Sequence, residues 1–252
     1  MIPIKTADDL QHMRVACRLS AELLAAMAAR VCPGLTTGEL DDFARDWLKQ
    51  RGLVSAFFGY GGFPGQACIS LNDEVVHGIP GMKVINEGDL VSLDVGVAAE
   101  EFIGDNAVTV RVGTVDAESE RLCQVAEASL AAAIDVARAG NRLSDIGHAV
   151  QTVAEAAGYT VVRDFCGHGV GRQLHEEPQV PNFGRPGKGP ILKAGMTLAI
   201  EPMINQGTFQ VETMANDWTV RTRDRKRSAH VEHTVLIVDD GPAEVLTCAE
   251  VK

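Results

Sequence analysis

The sequence predicts a single α+β domain over residues 1–252 in which helices pack on a curved, mainly antiparallel sheet, and three observations carry that prediction. Helical and strand-like periodicities alternate in blocks, two helices then strands, and the order then repeats. Two short segments recur at almost the same offset: Gly34-Leu-Thr-Thr-Gly-Glu-Leu40 matches Gly140-Asn-Arg-Leu-Ser-Asp-Ile146, and Gly88-Asp-Leu-Val-Ser-Leu-Asp94 matches Gly195-Met-Thr-Leu-Ala-Ile-Glu201. Both copies of the second segment end on an acid at the centre of an apolar strand. An internal pseudo-repeat, about 1–115 and 116–252, accounts for all three, with the two halves related by a pseudo-twofold axis.

In chain order, Thr6 with Asp9 three residues on reads as a helix cap, and the amphipathic run from Thr6 to Val31 stops at Pro33-Gly34. A second helix is expected from Thr37 to Arg51. Strand-like segments follow at Ala67–Leu71, Asp89–Val97 and Ala107–Gly113, rich in β-branched residues and bounded by turn formers. Helices are then expected over Glu118–Ala139, which is Ala-rich, and Leu143–Ala157. The strands of the second half read as Tyr-Thr-Val-Val-Arg-Asp-Phe from Tyr159, Met-Thr-Leu-Ala-Ile-Glu-Pro from Met196 and His-Val-Glu-His-Thr-Val-Leu-Ile-Val from His230.

Composition excludes several function classes. With 46% hydrophobic residues in 252, the chain has material for a substantial core. A formal charge of −11 repels a phosphate backbone, so no specific nucleic-acid partner is expected. The basic run Arg221–Arg227 reads as a solvated turn. Six scattered cysteines offer no C-x-x-C pair, which fits reduced thiols in the cytoplasm, and no apolar run is long enough for a signal peptide or membrane span.

The chemistry shows itself where acids interrupt core strands. Asp94 in VSLDVGV and Asp105 in FIGDNAVTV sit where apolar residues belong, and a buried ionised carboxylate is costly without a partner. A tight hairpin centred on Ala99 and Glu100 would set Asp94 directly opposite Asp105. Glu201 in LAIEPMI and Glu232 in AHVEHTVLI add two more acids, and neither has a Lys or Arg within its strand. Multivalent cations are the economical explanation, and two divalent ions neutralise four carboxylates where one leaves an excess. His168 between two glycines and His175 seven residues on supply imidazole, which suits a transition metal better than Mg²⁺ or Ca²⁺. The glycines are expected to let the backbone pass close to an ion or substrate. His77, beside a Gly-Ile-Pro turn, reads as lining a cleft, whereas His12, His148 and His230 read as structural.

These motifs, HGIP at His77, LDVGV around Asp94, GD at Asp105, CGHGVGR around His168, HEEP at His175, IEPM around Glu201 and SAHVEHT around Glu232, resemble the type I methionine aminopeptidases of the short bacterial type. The resemblance covers nearly the whole chain and implies the pita-bread (creatinase/aminopeptidase) fold. It implies removal of the initiator methionine from nascent polypeptides with a small second residue. Two divalent ions (cobalt, manganese, iron, zinc or nickel) would be bridged by Asp105 and Glu232, with Asp94 completing one and His168 and Glu201 the other. Glu201 is then the general base, His77 and His175 contact substrate, and Tyr60, Phe63, Cys68, Leu174 and Trp218 line the methionine pocket. Asn106, Phe57 and Leu174 depart from the family pattern and bear on the metal surroundings and the pocket shape. The partners implied are nascent peptide N-termini, with transient ribosome contact, no membrane and a monomeric state. Two competing readings are a proline-directed aminopeptidase or dipeptidase and a non-enzymatic peptide-binding module that has lost its ligands.

Overall fold

The computed structural model of the protein describes residues 1–248. Four long helices form as the caps dictate. Helix α1 (Ala7–Ala28) opens on Thr6, whose hydroxyl accepts from Asp9 N while the Asp9 carboxylate accepts from Thr6 N, and α2 (Thr37–Gln50) repeats that box with Thr36 and Glu39. Such caps satisfy backbone donors that the helix itself leaves free, each worth about 0.5–2 kcal/mol. Asp116 caps α3 (Ala117–Val136), and the Asp145 carboxylate accepts from Arg142 N at the start of α4 (Leu143–Ala156).

The strands are β1 (Val54–Ser55), β2 (Cys68–Leu71), β3 (Glu74–Val76), β4 (Leu90–Ala99), β5 (Phe102–Arg111), β6 (Thr160–Val161), β7 (Gly167–Gly169) and β8 (Glu176–Val180). They continue as β9 (Thr197–Ile200), β10 (Met203–Asn205), β11 (Val211–Thr213), β12 (Val220–Thr222), β13 (Ser228–His230), β14 (Glu232–Leu236) and β15 (Glu244–Val245). The main sheet runs β1-β4-β5-β14-β9-β7-β8, with β2 also on β4 and β15 also on β14, and every pairing in it is antiparallel. Alternation along β4 sends Val91, Leu93, Val95 and Val97 into a core with Leu23, Met27, Leu40 and Trp47 of α1 and α2. Likewise Leu198 and Ile200 of β9 and Val235 of β14 pack with Leu122, Leu130, Ile146 and Val150 of α3 and α4. Because side chains alternate, burying one set under the helices turns Asp94 to the opposite face.

Several boundaries differ from the sequence reading. The strand expected from Ala107 begins at Phe102, the segment from Tyr159 is extended only over Thr160–Val161, and the strand expected from His230 is split at Val231 into β13 and β14, which pair with different neighbours. The basic run Arg221–Arg227 spans the end of β12 and the turn before β13, where Arg225 pairs with Asp73 at 2.9 Å.

Candidate metal centre and substrate pocket

Strand register assembles the acids. Asp94 stands opposite Ala107 of β5, and Glu232 of β14 stands opposite the same Ala107 from the other side. Residues directly across a ladder share a face, so Asp94 and Glu232 flank Ala107, and Asp105, two residues earlier on β5, shares their side. Across β14, His233 pairs with Ile200, so the next step along brings Glu201 level with Glu232. His168 on β7 pairs with Ala199 of β9. Five donors from five adjoining chain segments thereby converge on one face.

The hairpin corrects one expectation. Its turn falls on Glu100 and Glu101, both with positive φ (51° and 68°), and Ala99 pairs with Phe102. Asp105 therefore faces Gly96 and lies diagonal to Asp94 instead of directly opposite. This register keeps Phe102 buried and both glutamates at the solvated tip, where His12 and Arg172 reach them. Moving the pairing by two residues leaves the face unchanged, so the acids still meet.

The donor atoms are close but not satisfied by one another. Ligand atoms of Asp105, His168 and Glu232 lie within 4.8 Å of each other. His168 Nε2 is 3.7 Å from Asp105 Oδ2 and 3.6 Å from Glu201 Oε1. Its Nδ1 donates to Gly169 O at 2.9 Å, which leaves Nε2 as an acceptor facing two acceptors. Asp94 Oδ1, Asp105 Oδ1 and Glu232 Oε1 are buried with no hydrogen-bond partner. Two like charges 4 Å apart repel by about 4 kcal/mol even at an effective dielectric of 20, so this cluster requires protons or cations.

Acidities follow. Burial pushes Asp94 up to about 7, against a lowering hydrogen bond from Cys68. Burial first, and then neighbouring carboxylates, hold Asp105, Glu201 and Glu232 well above the ordinary range. The histidines go the other way: burial and the nearby His175 lower both His168 and His77 to about 4, and burial lowers His175 itself. Acidic groups reluctant to ionise, neutral imidazole and orphaned oxygens together fit divalent transition-metal ions.

A cavity of about 140 Å³ opens beside these donors. Its apolar wall is Phe57, Phe63, Cys68 and Leu174, with Trp218 edge-on to Phe63 at 5.1 Å and Tyr60 at the mouth. A cavity of about 150 Å³ is enough to take benzene, so the space here suits one side chain. His77 and His175 complete the lining. His77 has φ 58°, an uncommon conformation for a side-chain-bearing residue, and its ring meets Phe165 at 5.6 Å and Trp218 at 6.3 Å. A larger groove of about 680 Å³ lies elsewhere, between α1 and α3, lined mainly by Ala, Val and Leu. Asn106 lines that groove and accepts from Ser20 Oγ at 2.7 Å, so its side chain faces the helices and not the carboxylates.

Apart from Asn106, the candidate ligand, substrate-contact and pocket residues read from sequence line one cavity. Two residues beside it went unsuspected. His230, read as structural, has its Nε2 3.7 Å from Glu201 Oε2. Asn182 Nδ2 donates to Glu201 O at 2.9 Å and fixes the chain where that acid leaves its strand. Alternation back from Glu232 is the one signal that could have found His230, and the break at Val231 weakens it; nothing in the sequence connects Asn182 to Glu201.

Comparison with known proteins identifies the family and the fold. Residues 11–239 match the model of metallopeptidase family M24, and the chain belongs to that family. Methionine aminopeptidase from Clostridium acetobutylicum is 46% identical over 99% of this chain and 100% of its own length, and that of Escherichia coli K12 is 45% identical over 98% and 94%. Crystal structures of methionine aminopeptidases from Rickettsia prowazekii and Thermotoga maritima superpose with TM-scores of 0.96 each, at 40% and 44% identity, over 98% of this chain and 100% and 99% of theirs. Within M24 the chain thus falls among the methionine aminopeptidases, and its fold is the pita-bread fold expected from the motifs. Prolidase from Pyrococcus furiosus shares the fold (TM-score 0.79) at 22% identity, with this chain covering 98% of itself and 66% of that protein.

Proposed function

We propose that the protein removes N-terminal methionine from newly made polypeptides by metal-dependent hydrolysis, and that a small second residue is required. The observation that carries this reading is the adjacency of the five-donor cluster to a one-side-chain apolar cavity. An unbranched thioether fills an irregular pocket of aromatic, thiol and Leu surfaces well. Two divalent ions would be held by Asp105 and Glu232 jointly, by Asp94 on one side, and by His168 with Glu201 on the other. Ions so held would act as Lewis acids and would bring the acidity of water toward neutrality.

The side chains supply the rest. The Glu201 carboxylate accepts the proton of the attacking water and returns it to the leaving amine. The Nε2 of His175 donates to the oxygen of the tetrahedral intermediate, since its Nδ1 is engaged by the Tyr60 hydroxyl. His77 holds the amide of the second residue, and the rings of Phe165 and Trp218 around it leave little room for a large side chain. The carboxylates accept the free α-amine and so confine cutting to the chain end. Residues 1–252 act as one catalytic domain, and equivalent placement of Asp94 and Glu201 after VSL and LAI supports two related halves. The setting this implies is the cytoplasm, as a monomer in transient contact with the ribosome. No helix among the described residues is long and apolar enough to cross a membrane.

The test is hydrolysis of Met-Ala-Ser against Xaa-Pro peptides, with Co²⁺ or Mn²⁺ and with chelator. Release of methionine from Met-Ala-Ser, abolished by chelation, is expected. An intact Met-Ala-Ser under every metal, or cleavage indifferent to chelator, refutes the reading, and cleavage confined to Xaa-Pro substitutes the proline-directed one.

A further inference from the structure

We infer that His230 is a positioning residue for Glu201: its imidazole holds the far oxygen of the carboxylate, so that the near oxygen stays aimed at His168 and the ion beside it. The assignment rests on the metal-dependent reading above. His230 ends β13, with its backbone fixed on both sides by Thr109, whose hydroxyl accepts from His230 N at 2.9 Å and donates to His230 O at 2.7 Å. The ring is 2% exposed, and its Nε2 has no hydrogen-bond partner. That nitrogen lies 3.7 Å from Glu201 Oε2, while Glu201 Oε1 lies 3.6 Å from His168 Nε2. The carboxylate is therefore flanked by an imidazole at each oxygen.

The two rings play opposite parts. His168 gives its Nδ1 proton to Gly169 O, so its Nε2 offers only a lone pair and attracts Oε1 through a cation alone. No such carbonyl claims the His230 ring among the described residues, so its Nε2 is free to carry the proton and donate to Oε2. Reaching hydrogen-bond distance needs under about 1 Å of side-chain movement, and such bonds are often long until the site is loaded. A buried ring nitrogen without a partner weakens the metal-free fold, and a role in the loaded site accounts for its presence. Partners that orient a metal-binding carboxylate matter nearly as much as the ligands themselves.

The test is Co²⁺ titration of metal-free wild type, His230→Leu and His230→Gln, followed by calorimetry and by visible absorption of the bound ion, with melting of each metal-free protein. His230→Leu should bind Co²⁺ about 10–100-fold more weakly, with a changed spectrum, while its metal-free form melts no lower than wild type. His230→Gln, whose amide N–H donates from similar reach, should recover most of the affinity and the wild-type spectrum. Wild-type affinity and spectrum in His230→Leu, or a Gln variant as weak as Leu, overturns the assignment and leaves the metal-dependent reading standing. Absence of Co²⁺ uptake by wild type overturns both. Should the Leu variant not fold, His230→Asn, whose shorter amide falls short of Glu201, takes its place in the comparison with Gln.

Discussion

The hydroxyl of Tyr60 lies 2.7 Å from Nδ1 of His175, joining a turn at the mouth of the cavity to a ring that stands T-shaped against His168, 4.3 Å away. Tyr60 is thus more than wall. Donation from the hydroxyl to Nδ1 is the arrangement that keeps the proton of the neutral imidazole on Nε2, the nitrogen proposed to face substrate. Tyr60→Phe keeps the ring and removes the donor. A hydrogen bond worth about 1 kcal/mol predicts a fall of roughly fivefold in kcat, with KM changed little. Steady-state kinetics on Met-Ala-Ser decide it; an unchanged kcat means His175 needs no such partner.

Loading the site should release protons. Burial raises Asp94 to about 7, so at pH 6 the metal-free protein holds a proton there that the unfolded chain has lost. The sign follows: a carboxylate raised in the folded state makes the metal-free fold less stable as pH climbs from about 4 to 7. His168, lowered to about 4, is already neutral at pH 6 and releases nothing, although its own shift favours folding as pH rises from about 4 to 6.5. Binding of Co²⁺ at pH 6 is therefore expected to expel at least one proton, with affinity rising at least about tenfold per pH unit below 7. Calorimetry in buffers of different ionisation enthalpy counts those protons. A binding enthalpy independent of buffer contradicts the prediction.

What sequence made legible and what it did not divide along physical lines. Asp94, Asp105, Glu201 and Glu232 stood out because ionisable groups in apolar strands break a pattern that packing otherwise enforces. Their relative register did not, because Glu100-Glu101 lacks the Asn-Gly type of signal that normally marks a two-residue hairpin. The glycines around His168 were visible but misread: a Cβ on Gly167 would sit 2.3 Å from Ala199 O, and one on Gly169 2.2 Å from Glu177 O. They serve the close approach of β7 to its neighbours, not room for an ion. His230 stayed hidden because its meaning depends on Glu201, which only the fold brings near.

Gly96 governs the pocket from behind. A Cβ there would lie 2.7 Å from Phe57 Cε1 and 3.1 Å from Ala56 Cβ, so Gly96→Ala drives the Phe57 ring off its seat in the apolar wall. Overpacking of this kind costs about 1–3 kcal/mol. The expected result is a lower midpoint in urea and a KM for Met-Ala-Ser raised more than kcat is lowered, because the lost contacts serve the side chain and not the reacting atoms. Equal KM in the two proteins would show that Phe57 does not touch methionine.

The loop that carries His175 is held by a largely buried ion pair with the chain's N-terminal segment. Lys5 Nζ lies 2.6 Å from Glu176 Oε2, with side-chain exposures of 6% and 11%. The other oxygen, Oε1, accepts from Arg172 N at 2.9 Å, and Lys5 N donates to Gly195 O at 2.8 Å. Glu176 thus gathers residues 172–176, which include Leu174 of the pocket and His175. Removing the cation by Lys5→Ala leaves a largely buried carboxylate uncompensated, a change that costs up to about 3–5 kcal/mol, whereas an exposed pair is worth about 0–1. Both stability and kcat/KM should fall in Lys5→Ala. Lys5→Met with Glu176→Gln removes both charges at similar volume, so the double variant should be more stable than Lys5→Ala despite carrying more changes. Urea unfolding across the double-mutant cycle measures the coupling. A loss below about 1 kcal/mol in Lys5→Ala, typical of solvated pairs, would mean that the loop is fixed by its backbone and that Lys5 does not position His175.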